Sequence, residues 1–268
     1  MTLLDALILG VVEGITEYLP VSSTGHLILV SKALGLEGEA SKSFDVVIQL
    51  GAILAVLVHY RALLTERFKG LFDRKPESVR LLLSLAVGFT PAAALGFLFH
   101  KAIKARLFGP LPVAGALIVG GILMVVIERV RRRKNLSGET GVDKVTPKRA
   151  LIIGVGQCFS LWPGASRSMC TIVAGQLSGL STATAADFSF LLGLPTLGAA
   201  TLYDLFKARS ELMAGVGIAP LVLGMVVSFV VAWAVIAAFV RYLQQRGLEP
   251  FGYYRVVLGL VVAWIAWP

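Results

Sequence analysis

Glu13 and Glu17 stand four residues apart, so both carboxylates share one face of a helix, and Glu13 is flanked by Val11, Val12 and Ile15. Carboxylates at membrane depth are costly and mark function. Such a pair can repel, share one proton, or bind a hard cation such as Mg²⁺ or Ca²⁺ through oxygen. The plain alternative is a segment at the membrane surface with both acids in water. Ser22, Ser23 and Thr24 open the next segment, and His26 follows Ser23 by three on the same helical face. Serine at a helix start is first of all an N-cap, which accounts for one hydroxyl but not three. Histidine serves as general acid or base near neutral pH. His59 and His100 are expected in packing or interfacial roles. In the second half of the chain Ser166, Arg167 and Ser168 follow Pro163 in the same manner. An arginine inside a membrane hairpin needs an anion: a salt bridge to Glu13 or Glu17, or a phosphate held by the guanidinium fork. Both hairpins restart at serine after proline, so two helix N-termini are expected to point at one cavity, where free N–H groups and helix dipoles attract anions. Acids for a metal, an arginine, hydroxyls and positive helix ends together describe a site for a phosphorylated substrate.

The elements that must position these groups follow from composition. Of the 268 residues 56% are hydrophobic and 15% charged, against roughly 25% charged in a soluble domain. That excludes a disordered chain and argues against a water-soluble globule. The start carries Asp5 and neither a basic n-region nor a cleavage pattern, so the first helix is expected to be retained. Ten apolar segments can be marked, at about 3–19, 22–36, 43–60, 79–100, 110–128, 148–161, 166–179, 184–204, 216–240 and 251–267. Six are long enough to span a bilayer. The other four are short, carry polar groups and form two pairs, joined by Leu19–Ser23 and by Trp162–Ser166. Stopping at proline and restarting at serine within apolar sequence predicts re-entrant hairpins, which membranes tolerate only where protein or a water-filled cavity surrounds the broken backbone.

The halves resemble each other. Gly10–Tyr18 lies over Gly154–Trp162. After a one-residue gap Pro20–Gly25 lies over Pro163–Ser168, and further on Asp45–Gly51 lies over Asp187–Gly193. The expected architecture is all-α: a polytopic membrane protein built as an inverted repeat of two halves. Each half holds one re-entrant helical hairpin plus three transmembrane helices, with the site near the midplane. It forms a single integral membrane domain over 1–268, with repeat 1 at about 1–128, a cytoplasmic loop at 129–147 and repeat 2 at about 148–268. Gln157 takes the repeat position of Glu13 and is a candidate cavity residue, ahead of Gln49 and Gln176. Asp45 and Asp187, expected near helix starts, are assigned to the dipole and to structure.

The net charge of +9 fits either a nucleic-acid binder or cytoplasmic membrane loops, and this composition selects the loops, with no nucleic-acid partner. Seventeen of the 25 lysines and arginines fall in the loops at 61–80, 129–149 and 241–255, and seven on the opposite side. By the positive-inside rule those three loops are cytoplasmic, and both termini and the mouth of the first hairpin face outward. The run Arg129–Lys134 is expected to set orientation and touch anionic membrane lipids. Cys158 and Cys170 lack zinc-site spacing and are assigned to packing.

The stretches Glu13–His26 and Pro163–Thr171 resemble the two signature motifs of the undecaprenyl-diphosphate phosphatase family, the bacitracin-resistance phosphatases. The resemblance covers essentially the whole chain. It implies an enzyme of the bacterial inner membrane that removes the terminal phosphate of a polyprenyl diphosphate, recycling the lipid carrier of cell-wall synthesis. It implies that Glu13 and Glu17 are the metal-linked acids, with Ser23, His26, Ser166, Arg167 and Thr171 at the other active-site positions. On this expectation Glu13, Glu17, Ser23, His26 and Arg167 are catalytic. Ser22, Thr24, Ser166, Ser168, Thr171 and Gln157 bind substrate, and the cofactor is Mg²⁺ or Ca²⁺. Ser23 is either the nucleophile or a phosphate ligand while water attacks. An oligomer is compatible with the sequence. The rival class is a lipid-phosphate flippase or transporter, since broken-helix repeats serve both.

Overall fold

The computed structural model describes residues 1–36, 38–107 and 109–266; the side chains of 100–106 and 266, and so the expectations for His100, Lys101, Lys104 and Arg106, lie outside the described residues. Regular structure among the described residues is helical, apart from a β-bridge between Glu139 and Leu180. The α-helices are α1 (Leu3–Thr16), α2 (Ser23–Ala33), α3 (Glu39–Val47), α4 (Gln49–His59), α5 (Arg61–Phe72) and α6 (Pro76–Leu107). They continue with α7 (Pro110–Arg133), α8 (Pro147–Cys158), α9 (Arg167–Leu177), α10 (Thr182–Gly215), α11 (Ile218–Leu243) and α12 (Glu249–Ala266). The broken segments are therefore α1/α2 and α8/α9. α1 starts on a capping box: the Thr2 hydroxyl accepts from the Asp5 N–H at 3.1 Å, and the Asp5 carboxylate accepts from the Thr2 N–H at 2.7 Å.

Among the described residues five stretches are long and apolar enough to cross a membrane: Glu39–His59, which joins α3 to α4, Pro76–Phe99, Pro110–Arg133, Thr182–Gly215 and Ile218–Leu243. The expected sixth forms the 18-residue α12, which is not in that set. The expected loop at 61–80 contains α5, because Leu64, Phe68 and Phe72 recur at helical spacing; the last two pack edge to face, 5.4 Å between ring centres.

Two compact units divide the chain. The first comprises Met1–Leu19, Ser23–Arg61 and Gly193–Phe239. Its core includes Leu9, Leu27, Phe44, Ile48, Leu212 and Leu221. In it α1 lies tightly on α11: a Cβ at Gly14 would meet Val231 Cβ at 2.7 Å and the Ser228 carbonyl at 2.8 Å. The second unit comprises Pro20–Ser22, Ala62–Leu192 and Val240–Pro268. Its main packings are α7 on α12 and α6 on α8. At the latter, a side chain on Gly154 would run into the Gly88 carbonyl. Small residues at both crossings let the backbones approach, as packing between membrane helices requires. Each unit thus draws on both halves of the sequence. α10 passes from one unit to the other at Gly193, two residues before its internal Pro195.

Four charged residues change assignment. Arg255, counted with the loop at 241–255, is wholly buried on α12. Arg131, counted with the basic run, is 8% exposed and donates to the carbonyls of Gln176 at 2.7 Å and Leu180 at 3.1 Å. Asp45 is the seventh residue of α3 and Asp187 the sixth of α10, so neither sits in the first turn that a dipole role needs.

Candidate active site

α1 runs to Thr16, and Glu17 is its last helical residue in backbone angle, with its N–H bonded to the Glu13 carbonyl at 3.0 Å. Glu13 is 0% exposed and Glu17 6%, so the alternative of two acids in open water does not hold. Tyr18 anchors the break, its buried hydroxyl donating to the Ala52 carbonyl of α4 at 3.0 Å. The chain then turns through Ser22, which takes a left-handed φ of 74°, and restarts as α2 at Ser23. Serine there is uncommon and strained, and such strain gathers at functional sites. The Ser23 Oγ donates to Glu17 Oε2 at 2.6 Å, both groups buried. A hydroxyl bonded to a carboxylate has its proton acceptor in place. His26, half-buried, lies one turn further along α2, and Thr24 between them is exposed.

The second hairpin has the same plan. α8 ends at Cys158, a short 3₁₀ turn Phe159–Leu161 follows, and Trp162 Nε1 donates to the Pro112 carbonyl of α7 at 3.0 Å. Ser166 takes φ 71° and caps α9, its Oγ accepting from the Met169 N–H at 3.3 Å and lying 3.0 Å from Ser168 Oγ. Arg167, half-buried, opens the helix and donates through Nη1 to the Ser189 carbonyl of α10 at 2.9 Å. Thr171 Oγ1 lies 2.6 Å from Ser189 Oγ and donates to the Arg167 carbonyl at 2.8 Å. Ser168, Thr171 and Gln157 are wholly buried. Ser189, which holds both Arg167 and Thr171, was not singled out by the sequence, where its signal is only a serine inside an apolar run. The other two amides bridge helices: Gln176 donates to Glu128 at 3.0 Å and Thr182 at 2.8 Å, and Gln49 accepts from Thr201 at 3.3 Å.

The backbone gives a different register between the two helix breaks. Ser22 and Ser166 share the positive φ and precede the restarting helix, and they stand 144 residues apart, as do Glu13 and Gln157, and Tyr18 and Trp162. No gap is needed. The proline match that placed Ser23 over Ser166 is displaced by one, because the two turns share a left-handed restart and not a proline position. Arg167 thus stands where the first hairpin has Ser23.

Long apolar helices, with two helix breaks that carry buried polar residues, define a polytopic all-α membrane protein. Residues 6–261 match the family model described as bacitracin resistance protein BacA, and the chain belongs to that family. The undecaprenyl-diphosphatase of Sorangium cellulosum is 62% identical over 262 residues, covering 97% of this chain and 85% of that protein. Undecaprenyl-diphosphatase 2 of Rhodospirillum rubrum is 47% identical over 269 residues, covering 99% and 95%. The undecaprenyl-diphosphatase of Thermoanaerobacter pseudethanolicus is 45% identical over 262 residues, covering 97% and 95%.

Proposed function

We propose that this chain is an undecaprenyl-diphosphatase, hydrolysing undecaprenyl diphosphate to undecaprenyl phosphate and inorganic phosphate, the activity its relatives are named for. The observation that carries the chemistry is the buried Ser23 hydroxyl donating to Glu17 Oε2 at 2.6 Å. Glu17 takes the Ser23 proton as Oγ attacks the terminal phosphorus. The bridging P–O bond breaks, and its electron pair leaves with undecaprenyl phosphate. Water then attacks the phosphoserine phosphorus and gives up its proton to His26, the Oγ–P bond breaks, and Glu17 returns its proton to Ser23. His26 supplies a proton to the departing phosphate oxygen. Arg167 and the N-terminal end of α9 neutralise phosphoryl oxygens, the main task in this chemistry. Ser22, Thr24, Ser166, Ser168, Thr171 and Gln157 orient the diphosphate and its immediate surroundings.

The donor set fits a hard divalent cation. Glu13 and Glu17 offer buried carboxylate oxygens from successive turns of one helix. Among the described residues no group of three or more His, Cys, Asp or Glu forms a fuller cage. Glu13 and Glu17 would hold Mg²⁺ or Ca²⁺ through carboxylate oxygen. Such an ion would supply charge neutralisation and Lewis-acid polarisation of the diphosphate.

The two halves are proposed as an inverted repeat, a reading supported by the constant 144-residue offset of Glu13/Gln157, Tyr18/Trp162 and Ser22/Ser166. The proposed placement puts 61–80 and 129–149 in the cytoplasm and both termini outside; the basic bias stands without Arg131 and Arg255.

Purified protein in detergent, given undecaprenyl diphosphate labelled in its terminal phosphate, tests this. Phosphate release with an acid-stable phosphoenzyme that Ser23→Ala lacks is the expected result. Release without a phosphoenzyme would place water, not Ser23, as the attacking group. No release, with lipid flux across liposomes, would make the chain a flippase.

A further inference from the structure

Arg255 is wholly buried on α12, and its guanidinium meets both helix breaks. Nη1 donates to the Pro20 carbonyl at 3.3 Å. Nη2 donates to the carbonyls of Gly164 at 3.0 Å and Ala165 at 3.1 Å, and to that of Ala116 on α7 at 3.1 Å. Pro20 precedes Ser22 by two residues and Ala165 immediately precedes Ser166, the left-handed residues from which α2 and α9 restart. The neighbouring helix leaves room for this group: a side chain on Gly120 of α7 would run into Nη2. A buried charge is retained only where its hydrogen bonds are met, and carbonyls released by broken helices need donors. One planar fork answers several of them at once, which a lysine, a single point charge, does not.

We infer that Arg255 is a positioning residue for the phosphatase reaction, its guanidinium bonding the carbonyls of both hairpin turns and so fixing the turns that deliver Ser23 and Arg167. The inference rests on the activity proposed above for its functional half. Its structural half, the pinning of two turns by one side chain, stands on the hydrogen bonds alone. It also accounts for a positive charge that lies buried on α12 instead of in the loop at 241–255.

The experiment uses full-length Arg255→Lys in detergent, with steady-state phosphate release and amide hydrogen exchange measured on the same preparation. The expected result is kcat lowered at least tenfold with KM within threefold of the parent. Exchange should quicken at 19–25 and 163–168 while 218–239 keeps the parent rate. Folded Arg255→Lys with kcat within twofold of the parent would overturn the inference. So would exchange that quickens throughout the chain, which marks a general stabiliser. Should Arg255→Lys fail to fold, Gly120→Ala, which pushes on the guanidinium from α7, is read by the same two measurements with the same outcomes. If the parent itself releases no phosphate, the proposed activity fails; unchanged exchange at the two turns would then sink the pinning as well, and quickened exchange would uphold it.

Discussion

At the scale of single residues, the most informative contact is the Ser23–Glu17 hydrogen bond, because it ties two candidate roles into one step. A serine capping α2 would spend its oxygen on backbone N–H groups; this one donates to a buried carboxylate instead. Glu17→Gln keeps the shape and loses the base, so phosphate release should fall by roughly 10²- to 10⁴-fold, the range of general acid–base catalysis. The variant should melt near the parent temperature. The buried acids at 13 and 17 also give the proposed cation dependence a residue-level form. EDTA should abolish phosphate release and added Mg²⁺ or Ca²⁺ restore it, whereas Glu13→Gln should demand more cation for half-maximal activity. An unchanged cation titration in Glu13→Gln would remove that residue from the metal assignment. Glu13, Glu17, His26 and Arg167 were legible in the sequence because charge within apolar sequence is conspicuous. Ser189 was not, because a hydroxyl there looks the same whether it packs or positions an arginine.

At the scale of elements, the hairpins are held by what they lack as much as by what they carry. Gly14 brings α1 against α11 with no space for a methyl group, since a Cβ would sit 2.7 Å from Val231 Cβ. Overpacking of this kind costs about 1–3 kcal/mol. Gly14→Ala should therefore lower the melting temperature in detergent and reduce activity with it, through displacement of α1. The aromatic anchors offer a softer test. Tyr18→Phe removes one buried hydrogen bond to the Ala52 carbonyl, leaving that carbonyl unsatisfied at a cost of about 1–3 kcal/mol. If Tyr18 only fills space, Tyr18→Phe will melt with the parent. Segment existence and the two helix breaks were readable from hydropathy, proline and serine. The register between the hairpins was not: matching prolines suggested a gap, and only the shared positive φ of Ser22 and Ser166 removed it. α5 was hidden because its charges resembled a loop while its apolar residues kept helical spacing.

At the scale of the whole molecule, orientation remains a proposal with a direct test. Ser137, exposed after α7, and Lys42, exposed in α3, fall on opposite sides of the proposed topology. In a background without Cys158 and Cys170, Lys42→Cys should react with an impermeant maleimide added to intact cells, and Ser137→Cys only after permeabilisation. The reverse pattern would invert the topology. The sequence by itself determined that this is a membrane protein, where its helices break, and which few charged groups sit in apolar hairpins. All of these are local properties, read from residue type and short-range spacing. Tertiary structure alone decided that each compact unit draws on both halves of the chain. It also decided that Arg255 serves the hairpin turns rather than a loop. The bond from Arg255 to the Pro20 carbonyl joins residues 235 positions apart. An arginine carries the same charge in sequence whether water or buried carbonyls surround it; only the fold chooses its solvent.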